Sequence, residues 1–133
     1  FQFHFLLPSM SCIDNILLPA KIGGKRLKPI KEKVTSLAKT LNVSHCLNKY
    51  PFEISGGEQQ RINIIRAISL NPKILLCDEP TGNLDSKNTE VVLELLRYTS
   101  AEVGSKLIVV THDAKLSSSF DYKITIEDGQ IIG

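Results

Sequence analysis

At 133 residues the chain suits one domain with a useful hydrophobic core. Its 42% hydrophobic content, 23% charged content and formal charge of +2 are ordinary for a globular protein, and the charge is too small to argue for a nucleic-acid partner. No apolar run approaches the roughly 18 residues of a membrane span; Cys12, Cys46 and Cys77 are scattered, odd in number and without metal-ligand spacing, which points to reduced core thiols in a cytosolic compartment.

Phe1 to Pro8, FQFHFLLP, is apolar, aromatic and closed by proline, as a strand leaving a core and turning into a loop would be. Because the chain opens in mid-pattern without an initiator methionine, it is expected to be the carboxyl-terminal part of a longer protein. Ser11 and Asp14 form an S-x-x-D capping pattern that predicts a short helix over 12–18, ended by Pro19. The stretch from Lys21 to Lys33 is basic, with Glu32 its one acid; without interleaved aromatics for base stacking it reads as a solvated loop and helix face. Gly24-Lys25 prompts a search for the phosphate loop G-x-x-x-x-G-K-[ST], and the search fails: Pro19 stands where the first glycine belongs and Arg26 follows the lysine.

Pro29 suits the first turn of a helix whose core stripe is Ile30, Val34, Leu37, Ala38 and Leu41. A turn over 44–48 then delivers the chain through Tyr50-Pro51-Phe52 to Ile54-Ser55-Gly56-Gly57-Glu58. Ser55 and Glu58 have the form of a capping box, which accounts for part of this pattern. Two glycines in a first turn, however, cost on the order of 1 kcal/mol each against alanine. What they permit is close approach to the backbone, and at a helix N-terminus the usual visitor is an anion, met by free N–H groups and the positive end of the dipole. The helix is expected over 58–70, burying Ile62, Ile65 and Ile68 or Ser69 and stopping at Asn71-Pro72.

Ile74 to Cys77 is an apolar run too short for a helix and reads as a strand covered on both faces. It ends in Asp78-Glu79-Pro80. In open α/β sheets ligands bind beyond the carboxyl ends of strands, so the pair is either a solvated strand end or a site in which one acid holds Mg²⁺ and the other polarises a water. A helix over 87–103 should bury Val91, Val92, Leu95 and Leu96 and end at Gly104. Leu107 to Val110 predicts a second buried strand with Thr111-His112-Asp113 at its carboxyl end, where His112 is either a structural group or a ligand. Ser117 to Ser119 reads as polar loop, followed by alternation at Tyr122, Ile124 and Ile126 and a hairpin at Asp128-Gly129.

These residues together resemble the ABC-type ATPases. Ile54 to Arg61 is similar to the family's signature motif, Ile74 to Glu79 to its Walker B strand with the catalytic glutamate, Thr81 to Asp85 to its D-loop, Thr111 to Asp113 to its switch-histidine loop and Phe1 to Pro8 to its Q-loop. Ile54 and Glu58 stand where leucine and glutamine are usual, and Glu58 is compatible if it turns back to cap Ser55. Leu6-Leu7-Pro8, Tyr50 to Glu53 and Asp78 to Asp85 resemble the branch that includes lipoprotein-releasing and macrolide-export transporters.

The resemblance implies an α/β fold: part of a phosphate-loop NTPase core, with parallel strands and flanking helices, plus a helical subdomain. It divides the chain into residues 1–8, 9–70 and 71–133, namely the Q-loop, the helical subdomain with the signature helix, and the rest of the ATPase core. It implies an ATP-binding and ATP-hydrolysing transporter subunit with Mg²⁺, working as a dimer of cassettes on membrane permease subunits at the cytoplasmic face. Ser55, Gly56, Gly57 and Glu58 would face the partner cassette's nucleotide; Asp78 and Gln2 would serve Mg²⁺; Glu79, His112 and Gln2 would be catalytic; Asp85 would act across the dimer. Lacking a phosphate loop, residues 1–133 alone are expected to be inactive. A different reading makes the chain a non-hydrolytic interaction module that supplies the signature motif and Q-loop to a partner.

Overall fold

A computed structural model describes residues 6–80 and 86–133. Gln2, Asp85 and Thr81 to Leu84 lie outside the described residues, as does the side chain of Val91.

Three helices come first: α1 (Cys12–Ile22), α2 (Leu27–Thr40) and α3 (Gly56–Ile68), with short 3-10 turns at Ser44–Cys46 and Pro51–Glu53. Ser11 caps α1 as predicted, its hydroxyl accepting the Asp14 N–H at 3.3 Å and donating to the Asp14 carboxylate at 2.7 Å. Pro19 does not end α1, which runs on to Ile22. The proline sits near the end of the helix, where its missing N–H removes a single bond, and Ile16, Leu17 and Ala20 are buried on either side of it. Gly23 and Gly24 then close the helix by donating to the carbonyls of Pro19 and Lys21 at 3.0 and 3.2 Å.

Pro29 occupies the third position of α2, still among the N–H groups that lack an intrahelical acceptor. The predicted stripe packs inward: Val34, Leu37, Ala38 and Leu41 are buried and Ile30 is half-buried against the core. Ile16, Ile62, Ile65 and Ile68 are all fully enclosed where α1, α2 and α3 meet, each burial contributing about 1.5–3 kcal/mol. Lys33 departs from the solvated face expected of the basic stretch. Its ammonium donates to the Ile68 carbonyl at 2.7 Å and to Asn71 Oδ1, placing a cation at the negative end of α3.

Beyond α3, β1 (Ile74–Asp78) and β2 (Lys106–Val110) pair in parallel, Leu75 opposite Leu107 and Asp78 opposite Val110. The crossover is α4 (Ser86–Glu102), which buries Val92, Leu93 and Leu96, half-buries Leu95, and ends at Gly104 with φ 67°. The strands are not covered on both faces. Leu75 is buried and Cys77 half-buried, but Ile74, Leu76, Ile108 and Val110 stay exposed, because α3 and α4 cover only one side of the pair among the described residues. Ser117 to Ser119 is likewise not simple loop. A short helix α5 (Ala114–Ser118) forms because Asp113 Oδ1 accepts the N–H groups of Lys115 and Leu116 at 2.8 and 3.2 Å and Leu116 is buried. The closing hairpin pairs β3 (Ile126–Glu127) with β4 (Gln130–Ile131) around Asp128 and Gly129, both at positive φ. The alternation expected from Tyr122 does not extend the strand upstream of Ile126, and Tyr122 and Ile124 are exposed.

Candidate nucleotide site

Two groups of predicted residues take shape. The first lies at the carboxyl end of the parallel pair. Because Asp78 is opposite Val110, the residues just after each strand meet. The Glu79 N–H donates to the Val110 carbonyl at 2.8 Å, and the backbone turns sharply there, with Glu79 at φ 45°. That left-handed conformation is uncommon outside glycine and directs the side chain across to the second strand. Glu79 Oε1 accepts the His112 backbone N–H at 2.9 Å and lies 2.7 Å from His112 Nδ1, while Oε2 accepts the Thr111 hydroxyl at 3.3 Å. Burial works to raise the Glu79 carboxyl, but the His112 and Thr111 hydrogen bonds outweigh it and hold the group below the ordinary carboxylate value. His112 is itself largely exposed, so the pair faces solvent. Asp78, at the strand's last position, is exposed and presents hard oxygen donors of the type Mg²⁺ takes.

The second group is the start of α3. Ser55 caps the helix, and the capping box is complete: Glu58 Oε2 accepts the Ser55 backbone N–H at 2.8 Å and its hydroxyl at 2.9 Å, while the Glu58 N–H reaches Ser55 Oγ at 3.3 Å. The Ser55 backbone N–H, then the His45 ring and the Ser55 hydroxyl, lower the Glu58 carboxyl to about 2. Gly56 and Gly57 are exposed, and neither is required by the fold. A methyl group at Gly56 would meet no atom within 4 Å, and one at Gly57 would meet only the Arg61 guanidinium at 3.9 Å. The two glycines therefore leave the outer face of the helix start open, where the first N–H groups have no intrahelical acceptor.

Gln60 links the groups, its side-chain amide donating to the Pro80 carbonyl at 3.0 Å, so that α3 touches the turn after Glu79. Sequence reading missed Gln60, and it missed Thr111 as a partner for Glu79. His45 was also missed, its Nε2 lying 2.8 Å from Glu58 Oε1; no spacing rule joins residues of two separate turns.

Comparison with known proteins bears on this arrangement. The family model described as ABC transporter matches residues 1–82. The chain belongs to the ABC transporter family. Among the family's members, the chain is 40% identical over 131 residues to the lipoprotein-releasing system ATP-binding protein LolD of Shewanella sp. strain MR-7, covering 98% of this chain and 57% of that protein. It is 39% identical over 132 residues to the LolD of Cytophaga hutchinsonii, covering 99% of this chain and 60% of the relative. It is similar in structure to the dimeric bacterial ABC transporter cassette MJ0796, with a TM-score of 0.77 and 33% identity over 98% of this chain and 58% of that one. The chain thus spans about three fifths of the length of these ABC proteins. The α/β class expected from the sequence is the fold found, and the branch suggested by residues 6–8, 50–53 and 78–85 is the branch of these relatives. Both groups of the candidate site lie in the stretch aligned with the relatives, and Ser55 to Glu58 and Asp78-Glu79 lie within the family model's own match.

Proposed function

We propose that the chain is the larger part of an ATP-binding and ATP-hydrolysing subunit that powers an ABC transporter. It divides into a Q-loop segment (1–8), a helical subdomain (9–70) and the rest of the ATPase core (71–133). The observation that carries the reading is the pairing of Glu79 with Thr111 and His112 at the carboxyl edge of a parallel strand pair. Ligands of open α/β sheets bind at that edge, and the groups gathered there suit phosphate-ester hydrolysis.

Asp78, with Gln2, would hold Mg²⁺, whose charge would offset that building on the phosphate oxygens. Glu79 would orient and deprotonate the attacking water. In the arrangement seen, its Oε1 is engaged by His112, so a γ-phosphate that drew His112 toward itself would free the carboxylate for that water. His112 thereby couples nucleotide occupancy to the state of the base. At the start of α3, Ser55, Gly56 and Gly57 would bind the γ-phosphate of a second cassette's ATP. The open space above the glycines supports this role, and Glu58, bent back onto Ser55, is kept from pointing along the helix axis at the phosphate. Asp85 would carry the signal across the dimer, and permease subunits would receive it at the cytoplasmic face of the membrane. Residues 1–133 by themselves contain no phosphate loop and are expected to bind Mg-ATP weakly without turnover.

The test uses the longest polypeptide encoded by the gene. Glu79→Gln should retain ATP binding while phosphate release falls by at least about 10²-fold, the usual contribution of a general base. Turnover near that of the native protein in Glu79→Gln would overturn the assignment. Absence of a phosphate-loop sequence upstream of the Phe1 codon would instead favour the interaction module.

A further inference from the structure

Three side chains of different donor chemistry converge beside the start of α3. His45 and Cys46 come from the 3-10 turn Ser44–Cys46 and Glu58 from the first turn of α3, and one ligand atom of each lies within 4.8 Å of the other two. Their sequence positions carry no metal-ligand spacing; only the packing of the turn against the helix brings them together. Cys46 is fully buried, so packing fixes the innermost donor. The His45 side chain is 57% exposed, which leaves the cluster an entrance from solvent. Glu58 divides its carboxylate: Oε2 is held by the Ser55 N–H and hydroxyl, and Oε1 faces His45 at 2.8 Å. Hydrogen bonds on the far oxygen orient the near one, as the outer partners of metal-bound carboxylates do.

We propose that His45 Nε2, Cys46 Sγ and Glu58 Oε1 form a binding site for a borderline-soft divalent cation, Zn²⁺ foremost, with water as the fourth ligand. One sulfur, one imidazole nitrogen and one carboxylate oxygen suit Zn²⁺, whereas Mg²⁺ and Ca²⁺ take oxygen sets. Tetrahedral Zn²⁺ with bonds of about 2.0–2.3 Å places its ligands about 3.3–3.7 Å apart. The His45–Glu58 pair need open by only about 0.5 Å for an ion to replace the hydrogen they share. Binding forms the Zn–S, Zn–N and Zn–O bonds, releases the Cys46 thiol proton to solvent and moves the hydrogen shared by His45 Nε2 and Glu58 through solvent to His45 Nδ1; nothing is oxidised or reduced. The site is separate from the carboxylates at the sheet edge and does not depend on the nucleotide reading. Its effect would be to tie the Ser44–Cys46 turn to the first turn of α3.

The experiment titrates the intact polypeptide with Zn²⁺ against a chromophoric chelator, and separately with Co²⁺ while recording the near-ultraviolet spectrum. One Zn²⁺ per chain is expected, together with a thiolate-to-Co²⁺ charge-transfer band. His45→Ala, at an exposed position that leaves the core intact, should weaken Zn²⁺ binding by at least about tenfold, since even outer-partner losses cost that much. Cys46→Ser should abolish the band. Zn²⁺ affinity unchanged in His45→Ala, or Co²⁺ binding with no thiolate band in the native protein, would overturn the proposal and leave the cluster as a hydrogen-bonded one.

Discussion

Asn15 is fully buried, and its amide is the fastener of the segment that precedes α1. Its Oδ1 accepts the Leu7 N–H at 2.7 Å, and its Nδ2 faces the carbonyls of Leu7, Met10 and Ser11 at 3.0, 3.1 and 3.1 Å. Asn15→Ala would take the acceptor from the Leu7 N–H, while the Leu7 carbonyl would keep the Met10 N–H at 3.1 Å. At about 1–3 kcal/mol for a buried group left unpaired, and allowing for water entering the gap, the loss should be about 2 kcal/mol. Asn15→Asp keeps the shape and the acceptor, but sets a carboxylate against three carbonyls and should cost at least as much at neutral pH. Its folded-state pKa would be raised, so that its penalty is absent below the unfolded value and grows as pH rises through the folded one. Urea unfolding reads both effects: with a slope of about 1–3 kcal/mol/M, Asn15→Ala should lower the midpoint by roughly 0.7–2 M without changing the slope. A shift below about 0.5 kcal/mol for Asn15→Ala, or an Asn15→Asp variant as stable as the native chain at pH 7, would refute the reasoning.

Glu58 yields an acid-stability prediction. Its carboxyl is lowered to about 2 from an ordinary value of 4.5, so the capping box contributes fully above pH 4.5 and is lost as pH falls toward 2. The difference in urea midpoint between the native chain and Glu58→Gln should shrink across that window, and a difference that stayed constant to pH 2 would count against the cap. Ile65→Ala, at a fully enclosed position, should destabilise by about 2–5 kcal/mol, and a loss under about 1 would mean that the three helices do not share one core. The exposed apolar face of Ile74, Leu76, Ile108 and Val110 should make residues 1–133 self-associate, which a concentration-independent monomer in light scattering would contradict.

What could be read from the sequence was local. The S-x-x-D and S-x-x-E caps, the stripe from Ile30 to Leu41, the strand ending in Asp78-Glu79 and the turn at Asp128-Gly129 each depend on residues within a few positions of one another, and each is found. What was hidden was either context or distance. Pro19 is tolerated because buried neighbours hold the helix on both sides of it, a fact about packing that the residue itself does not advertise. Lys33 reaches Ile68, Gln60 reaches Pro80 and Glu79 reaches His112 across separations of 35, 20 and 33 residues, which no period or spacing rule encodes. The Asp113 cap of α5 was legible in principle, since Asp before a short apolar-anchored segment is an N-terminal signal. It was overshadowed by reading Thr111 to Asp113 as a loop motif alone.

The parallel register between β1 and β2 also orders events in time. The Glu79–His112 bond closes a segment of 33 residues, whereas Asn15 reaches Leu7 across 8. On loop-closure entropy alone the longer closure is less favourable by about 1.3 kcal/mol, roughly an eightfold difference in equilibrium. On the ribosome the disparity is sharper still, because α1, α2 and α3 are all synthesised before residue 112 exists. A nascent chain paused after α4 would hold the whole sequence of the capped α3 and its helical core, and a glutamate with no histidine to meet. The three-helix part of this molecule is therefore complete in sequence before the strand pair that brings Glu79 to His112.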